Sequence, residues 1–201
     1  MKINNILKKC TTNYITKNLK NSDVKGISFH SREIKKNYIF AAVKGFENNG
    51  EKYVKDIFKI EDIILIVSFS FKIIKIYKEI PIIKTKNVRK LAGEMASIIY
   101  PNKIDDKIAV TGTNGKTSIA HYISEISSHQ NISNCTLGTL GVIFNKKKIF
   151  NTSLTTNDCV NNHKILNKLS NKGCKRVIFE ASSIGLHQNR LQNIKFNKIA
   201  I

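Results

Sequence analysis

The segment Ile108-Ala109-Val110-Thr111-Gly112-Thr113-Asn114-Gly115-Lys116-Thr117-Ser118 decides the fold. An apolar run leads straight into a glycine-rich loop, after which Ile119, Tyr122, Ile123 and Ile126 recur at helical spacing. This order of strand, loop and helix suits a nucleoside triphosphate. The glycines let backbone N–H groups approach anionic oxygens, Lys116 supplies a point charge, and the Thr117 hydroxyl can ligate Mg²⁺. The N-terminus of the following helix turns its partial positive charge toward the same phosphates. The general phosphate-loop pattern would place a first glycine at position 110, where this chain has Val110, so a shorter G-x-x-G-K-T form remains. A chance Gly/Thr/Asn turn would have to combine the lysine, the hydroxyl and the strand-loop-helix context by coincidence.

Downstream, the alternation of patterns continues. The helix is expected over residues 117–128, a strand around 133–137, and short strands over 142–144 and 149–150 with Lys146-Lys147-Lys148 as a solvated turn between them. A second helix is expected near 160–169, ended by Gly173, and a strand at Arg176–Phe179. Residues 197–201 read as the opening of another parallel strand, so the sheet is expected to have three or four strands, an unfinished edge and a truncated chain. Such an edge predicts aggregation or partial disorder of the second domain.

Upstream, strands are expected at 26–29, 38–43, 63–67 and 81–84, with a short helix near 52–58. The run Ile63-Ile64-Leu65-Ile66-Val67 is wholly apolar, as for a strand covered on both faces. Val88, Leu91, Ala92, Met95, Ile98 and Ile99 repeat at helical spacing up to Tyr100-Pro101-Asn102. The boundary is placed just before that helix. The resulting class is α/β: a small N-terminal α/β domain at 1–86, able to fold alone, followed over 87–201 by an incomplete P-loop-type parallel-sheet ATP-binding domain.

The chain has 201 residues and a formal charge of +20, which raises nucleic acid or an anionic membrane as a partner. The cations are nearly all lysines dispersed among Asn and Ile, with only Arg32, Arg89, Arg176 and Arg190 as arginines, and they form no stripe. No nucleic-acid module and no stacking aromatics on a strand face accompany them. Neither nucleic acid nor membrane is therefore expected as a partner. The start MKINNILKKC lacks a signal-peptide core, and no window approaches 18 apolar residues. Cys10, Cys135, Cys159 and Cys174 have no ligand spacing, and the five histidines form no metal motif. A cytoplasmic protein with reduced thiols is the expectation.

Four segments together resemble the Mur ligase family, and within it the branch that adds the third residue of the peptidoglycan stem peptide. They are Ser31-Arg32-Glu33 with the later Tyr38-Ile39-Phe40-Ala41-Ala42-Val43-Lys44-Gly45; the loop TGTNGKTS; Leu154-Thr155-Thr156; and Glu180-Ala181-Ser182-Ser183-Ile184-Gly185-Leu186-His187-Gln188-Asn189-Arg190. The loop is shared with sister ligases and folylpolyglutamate synthetases, whereas the stretch from Glu180 to Arg190 is the discriminating one. Ile184 stands where the family usually has histidine, and Asn157 where it usually has Pro or Gly.

The resemblance implies ATP-dependent amide formation through an acyl phosphate, with ATP and Mg²⁺ as cofactors and UDP-N-acetylmuramoyl-dipeptide and an amino acid as substrates, in a monomer. Positioning and charge neutralisation dominate such phosphoryl transfer. Gly112, Thr113, Asn114, Gly115, Lys116, Thr117 and Ser118 are the candidate ATP-binding residues, Lys116 and Glu180 the catalytic ones, and Thr117 and Glu180 the metal ligands. Glu180 follows an expected strand, at the carboxyl edge where parallel sheets place ligands. Ser31, Phe46, Glu47, Asn48, Thr155, Thr156, Ser182, Gln188 and Arg190 match substrate-binding positions, although Phe46 and Glu47 replace commoner His and Gln. The arginine's planar guanidinium suits a carboxylate or phosphate. The resemblance further implies that an amino-acid-binding domain and a modified lysine lie beyond Ile201, so the chain alone is expected to lack ligase turnover. The alternative is a non-catalytic nucleotide- or UDP-sugar-binding remnant of such a ligase.

Overall fold

The computed structural model describes residues 1–45, 49–72, 79–152 and 154–201. The chain divides into two compact units, Met1–Ile99 and Tyr100–Ile201.

The first unit contains α1 (Ile3–Leu7), β1 (Tyr14–Lys17), β2 (Gly26–Ser28), β3 (Tyr38–Ala41), α2 (Val54–Ile57), β4 (Ile64–Ser68), β5 (Ile82–Thr85) and α3 (Val88–Ile99). Its sheet has the order β1-β5-β4-β3-β2, parallel except for β1. The apolar run of β4 is buried on both faces, as its composition requires. Leu65 and Val67 join Phe40, Val54, Ile57 and Ile82 in one cluster. Alternation turns Ile64 and Ile66 to the opposite face, which α3 covers with its buried stripe of Leu91, Ala92 and Met95.

That packing moves the expected boundary. The helix at 88–99 lies against β2, β3, β4 and β5 of the first sheet, so the division falls after Ile99 and not after residue 86. Its amphipathic pattern showed a helix but not which sheet the apolar stripe faces. Neither α1 nor β1 was anticipated, since both are too short to show a period. Both are nevertheless tied to α3. Glu94, 2% exposed, accepts hydrogen bonds from the backbone N–H and hydroxyl groups of both Thr11 and Thr12, at 2.8–3.0 Å.

In the second unit β6 (Asp106–Val110), α4 (Lys116–His129), β7 (Asn134–Gly138), β8 (Gly141–Phe144), β9 (Lys147–Phe150), α5 (Cys159–Asn171), β10 (Arg176–Glu180), α6 (Ser183–His187) and β11 (Lys198–Ala200) follow in order. The sheet has six strands, β11-β6-β10-β7-β8-β9, more than the three or four expected. The four strands β11, β6, β10 and β7 are parallel, and the meander through β8 and β9 extends them antiparallel. Helix α4 packs on Ile108, Val110 and Ile178 through Ala120, Ile119 and Ile123. The other face buries Cys135, Leu137, Val177 and Phe179 with Leu166 and Leu169 of α5. All four cysteines are free, and burial pushes the Cys10 thiol up to about 12 and that of Cys174 up to about 11.

Register then fixes where chemistry can occur. Glu180 pairs with Val110, and Phe179 with Leu137, so β6, β10 and β7 end together at one carboxyl edge. At the opposite edge Arg176 Nε donates to Asp106 at 2.6 Å and Lys198 Nζ to the same carboxylate at 2.8 Å, joining the starts of β10, β6 and β11.

Burial alone would raise the Glu94 carboxyl, but the four donors of Thr11 and Thr12 outweigh it and hold the group below its ordinary value. The stabilisation is therefore present above the unfolded carboxyl's range and is lost as pH falls through the lower folded one. Glu94→Ala is expected to cost about 2–4 kcal/mol at neutral pH. Thermal or urea unfolding of both proteins should show the gap narrowing on acidification.

Candidate functional site

Strand β6 ends at Val110, and the loop that follows reaches α4 through two glycines of positive φ, Gly112 at 132° and Gly115 at 78°. These angles are strained for side chains with a Cβ. Lys116 opens α4, and its Nζ folds back to the carbonyls of Gly112 at 2.8 Å and Thr113 at 3.1 Å, which places the cation over the loop. Thr117, one residue on, points to the sheet edge and donates from Oγ1 to Glu180 Oε2 at 2.9 Å. Ser118 is exposed on the first turn of α4, and Thr113 and Asn114 are exposed in the loop.

Glu180, the last residue of β10, is 4% exposed. Besides Thr117, it is held by Thr139, whose backbone N–H donates to Oε1 at 3.1 Å and whose hydroxyl donates to Oε2 at 3.0 Å. Gly138 makes room for this arrangement: a Cβ there would stand 1.9 Å from Oε1. Thr139 Oγ1 also lies 3.1 Å from Thr155 Oγ1.

The neighbouring Thr156 is 2% exposed and donates its hydroxyl to the Glu180 carbonyl at 2.7 Å. It accepts the Ser182 N–H at 3.0 Å and sits 3.1 Å from the Ser182 hydroxyl, which in turn caps α6 by accepting the Gly185 N–H. A Cβ on Gly185 would approach Thr156 to 2.7 Å, so a glycine is needed here too. Arg190 Nη1 donates to the Thr156 carbonyl at 2.9 Å, while Nε and Nη2 hold Gln188 Oε1 at 3.1 and 2.9 Å. Asn162 of α5 ties the carbonyls of Asn157 and Arg190, both at 3.0 Å.

The candidates Lys116, Thr117, Thr155, Thr156, Glu180, Ser182, Gln188 and Arg190 thus stand on one hydrogen-bonded edge of the second unit. Arg190 and Gln188 bind each other and the Thr156 backbone, so in this structure the guanidinium shapes the loop. Ser31 belongs to the first unit, in a 3₁₀ turn over Ser31–Glu33, and Glu33 accepts from the Ser28 hydroxyl at 2.8 Å. Phe46, Glu47 and Asn48 lie outside the described residues. Sequence reasoning missed Gly138, Thr139 and Asn162, and quoted Gly185 within the discriminating stretch without giving it a role. For the first two a signal existed, because Gly138-Thr139 follows the strand expected at 133–137 and so falls on the same carboxyl edge.

Residues 110–201 match the family model of the Mur ligase middle domain. Over that stretch the chain is similar to Mur ligases. Among its relatives, the UDP-N-acetylmuramoyl-L-alanyl-D-glutamate--2,6-diaminopimelate ligase of Rickettsia conorii is 39% identical over 178 residues, 87% of this chain and 36% of the relative. The ligase of the same name from Clostridium tetani is 32% identical over 200 residues, 98% of this chain and 41% of the relative. A solved structure of a UDP-N-acetylmuramoyl-L-alanyl-D-glutamate--2,6-diaminopimelate ligase superposes with a TM-score of 0.69 at 25% identity, covering 88% of this chain and 35% of that one. The chain therefore spans little more than a third of the length of the relatives it matches.

The residues present fit a magnesium-bound triphosphate. The donors at the edge are oxygens, Thr117 Oγ1 and Glu180 Oε2, 2.9 Å apart, as a hard cation requires. Among the described residues no cluster of three or more His, Cys, Asp or Glu side chains could hold a metal by itself. Phosphate and water oxygens would complete the shell, the usual arrangement for Mg²⁺ at a triphosphate. A cavity of about 220 Å³ opens beside Thr117 and Glu180.

Gly138→Ala tests this construction. The backbone of Gly138 is not in the left-handed region, so the fold should tolerate alanine while the Glu180 carboxylate must leave its place. The expected outcome is a thermal midpoint near wild type with Mg²⁺-dependent nucleotide binding lost in calorimetry.

Proposed function

We propose that this chain supplies the ATP site and part of the acceptor site of a ligase that joins an amino acid to UDP-N-acetylmuramoyl-L-alanyl-D-glutamate. The carrying observation is the hydrogen-bonded row Thr117–Glu180–Thr139–Thr155, which sets a cation-ligating pair beside hydroxyls that can meet an acceptor. The names of the relatives at 32–39% identity support 2,6-diaminopimelate as the incoming amino acid.

The geometry of the second unit and the family resemblance support the following roles. Gly112, Thr113, Asn114 and Gly115 wrap the β- and γ-phosphates with backbone N–H groups, with Ser118 as a supporting hydroxyl. Lys116, already arched over the loop, neutralises charge as the γ-phosphoryl moves. Thr117 and Glu180 hold Mg²⁺, which when bound offsets phosphate charge. The acceptor carboxylate attacks the γ-phosphorus and the bond to the ADP oxygen breaks, leaving an acyl phosphate. The amine of the second substrate then adds to the acyl carbon and expels inorganic phosphate, losing one proton. Thr155, Thr156, Ser182, Gln188 and Arg190 form the acceptor side, the first through its exposed hydroxyl and the others by fixing the loop that carries it. Ser31, Phe46, Glu47 and Asn48 of the first unit are assigned to the uridine end. The same reading makes the protein cytoplasmic and monomeric. Among the described residues no helix is long and apolar enough to cross a membrane.

Isothermal titration of the chain with ATP should show binding that requires Mg²⁺. Lys116→Ala should weaken it by about tenfold to a hundredfold, the loss of one charged hydrogen-bonding partner. Nucleotide binding that is insensitive to Mg²⁺ and to this substitution would contradict the proposal.

A further inference from the structure

Thr139 makes three of the contacts that define the site, two to Glu180 and one to Thr155. The protons in this row can be assigned one by one. A carboxylate only accepts, so the hydroxyls of Thr117 and Thr139, both turned to Glu180 Oε2, must donate. A hydroxyl has one proton and two lone pairs. Thr139 has spent its proton on Glu180, so toward Thr155 it can only accept, and the Thr155 proton points to Thr139. Thr155 therefore has only lone pairs left for a ligand.

We infer that Thr139 is a positioning residue with two effects. It holds the Glu180 carboxylate in its cation-ligating place, and it fixes the Thr155 hydroxyl as an acceptor toward an N–H or O–H group of the bound substrate. This inference rests on the proposed function, because it takes Thr117 and Glu180 as the cation pair. Thr117 ligates a cation through a lone pair, so its hydroxyl is then shared between the metal and Glu180. Of the three hydrogen bonds to the carboxylate, the two from Thr139 come from a residue that does not itself ligate the metal. The backbone one survives any substitution that keeps the fold, and the hydroxyl one does not.

The test uses the 201-residue chain and a fluorescent ADP, with Mg²⁺ as the titrant, in wild type, Thr139→Val and Thr139→Ser. Valine matches threonine in shape and lacks only the hydroxyl's hydrogen bonds; serine keeps them. The Mg²⁺ concentration for half-maximal binding should rise about tenfold in Thr139→Val, the loss of one hydrogen bond to a charged group. Thr139→Ser should restore it to near wild type, and the affinity for ADP without metal should be equal in all three. A melting curve for each variant keeps unfolding separate from loss of binding. An unchanged Mg²⁺ requirement in Thr139→Val, or a serine variant as impaired as the valine one, would overturn the inference while leaving the proposed function standing. Failure of the wild-type chain to bind ADP with Mg²⁺ would overturn both.

Discussion

A buried carboxylate at the end of a strand is costly unless its oxygens are occupied, and the site depends on how that cost is met for Glu180. Two oxygens take three hydrogen bonds, one from Thr117 and two from Thr139. The three residues come from three different segments, α4, the turn after β7, and β10. Parallel pairing in register brings those segments to the same edge. The fold therefore supplies the site by aligning strand ends, and the absence of a Cβ at Gly138 lets the carboxylate enter.

A second tier supports the first. Thr156 is buried against the Glu180 carbonyl and receives the Ser182 N–H, and Arg190 clasps the Thr156 carbonyl. These residues keep Thr155 beside Thr139. Arginine is suited to this work because a rigid fork of donors can hold a backbone carbonyl and the Gln188 side chain at once. An arginine expected to meet substrate thus has a structural task in the protein as it stands.

Much of this was legible before the structure. Ile108–Val110, the two loop glycines and the helical period after Lys116 sufficed for the strand, loop and helix, because strong periodicity and glycine conformation act locally. The stretch from Glu180 to Arg190 suggested an acceptor side only through its family resemblance, and the residue chemistry alone left Glu180 no better than an ordinary strand-end carboxylate. The rest was out of reach for physical reasons. Whether the apolar stripe of helix 88–99 faces the sheet before it or the one after it is a tertiary fact, and it moved the boundary to Ile99. Thr139 carries no motif; its role comes from a register that puts the end of β7 beside the end of β10. Gly138 and Gly185 are glycines for lack of space, which composition cannot show.

Thr117 and Glu180 are proposed as the cation-ligating pair of a triphosphate site. A crystal structure of the chain with Mg²⁺ and a non-hydrolysable ATP analogue tests it most directly. The expected result is phosphates wrapped by Gly112–Gly115 and the metal bound by Thr117 Oγ1 and by Glu180, directly or through one water, with Thr139 still hydrogen-bonded to the carboxylate. A metal held elsewhere, with the Thr117–Glu180 hydrogen bond intact beside the phosphates, would contradict it.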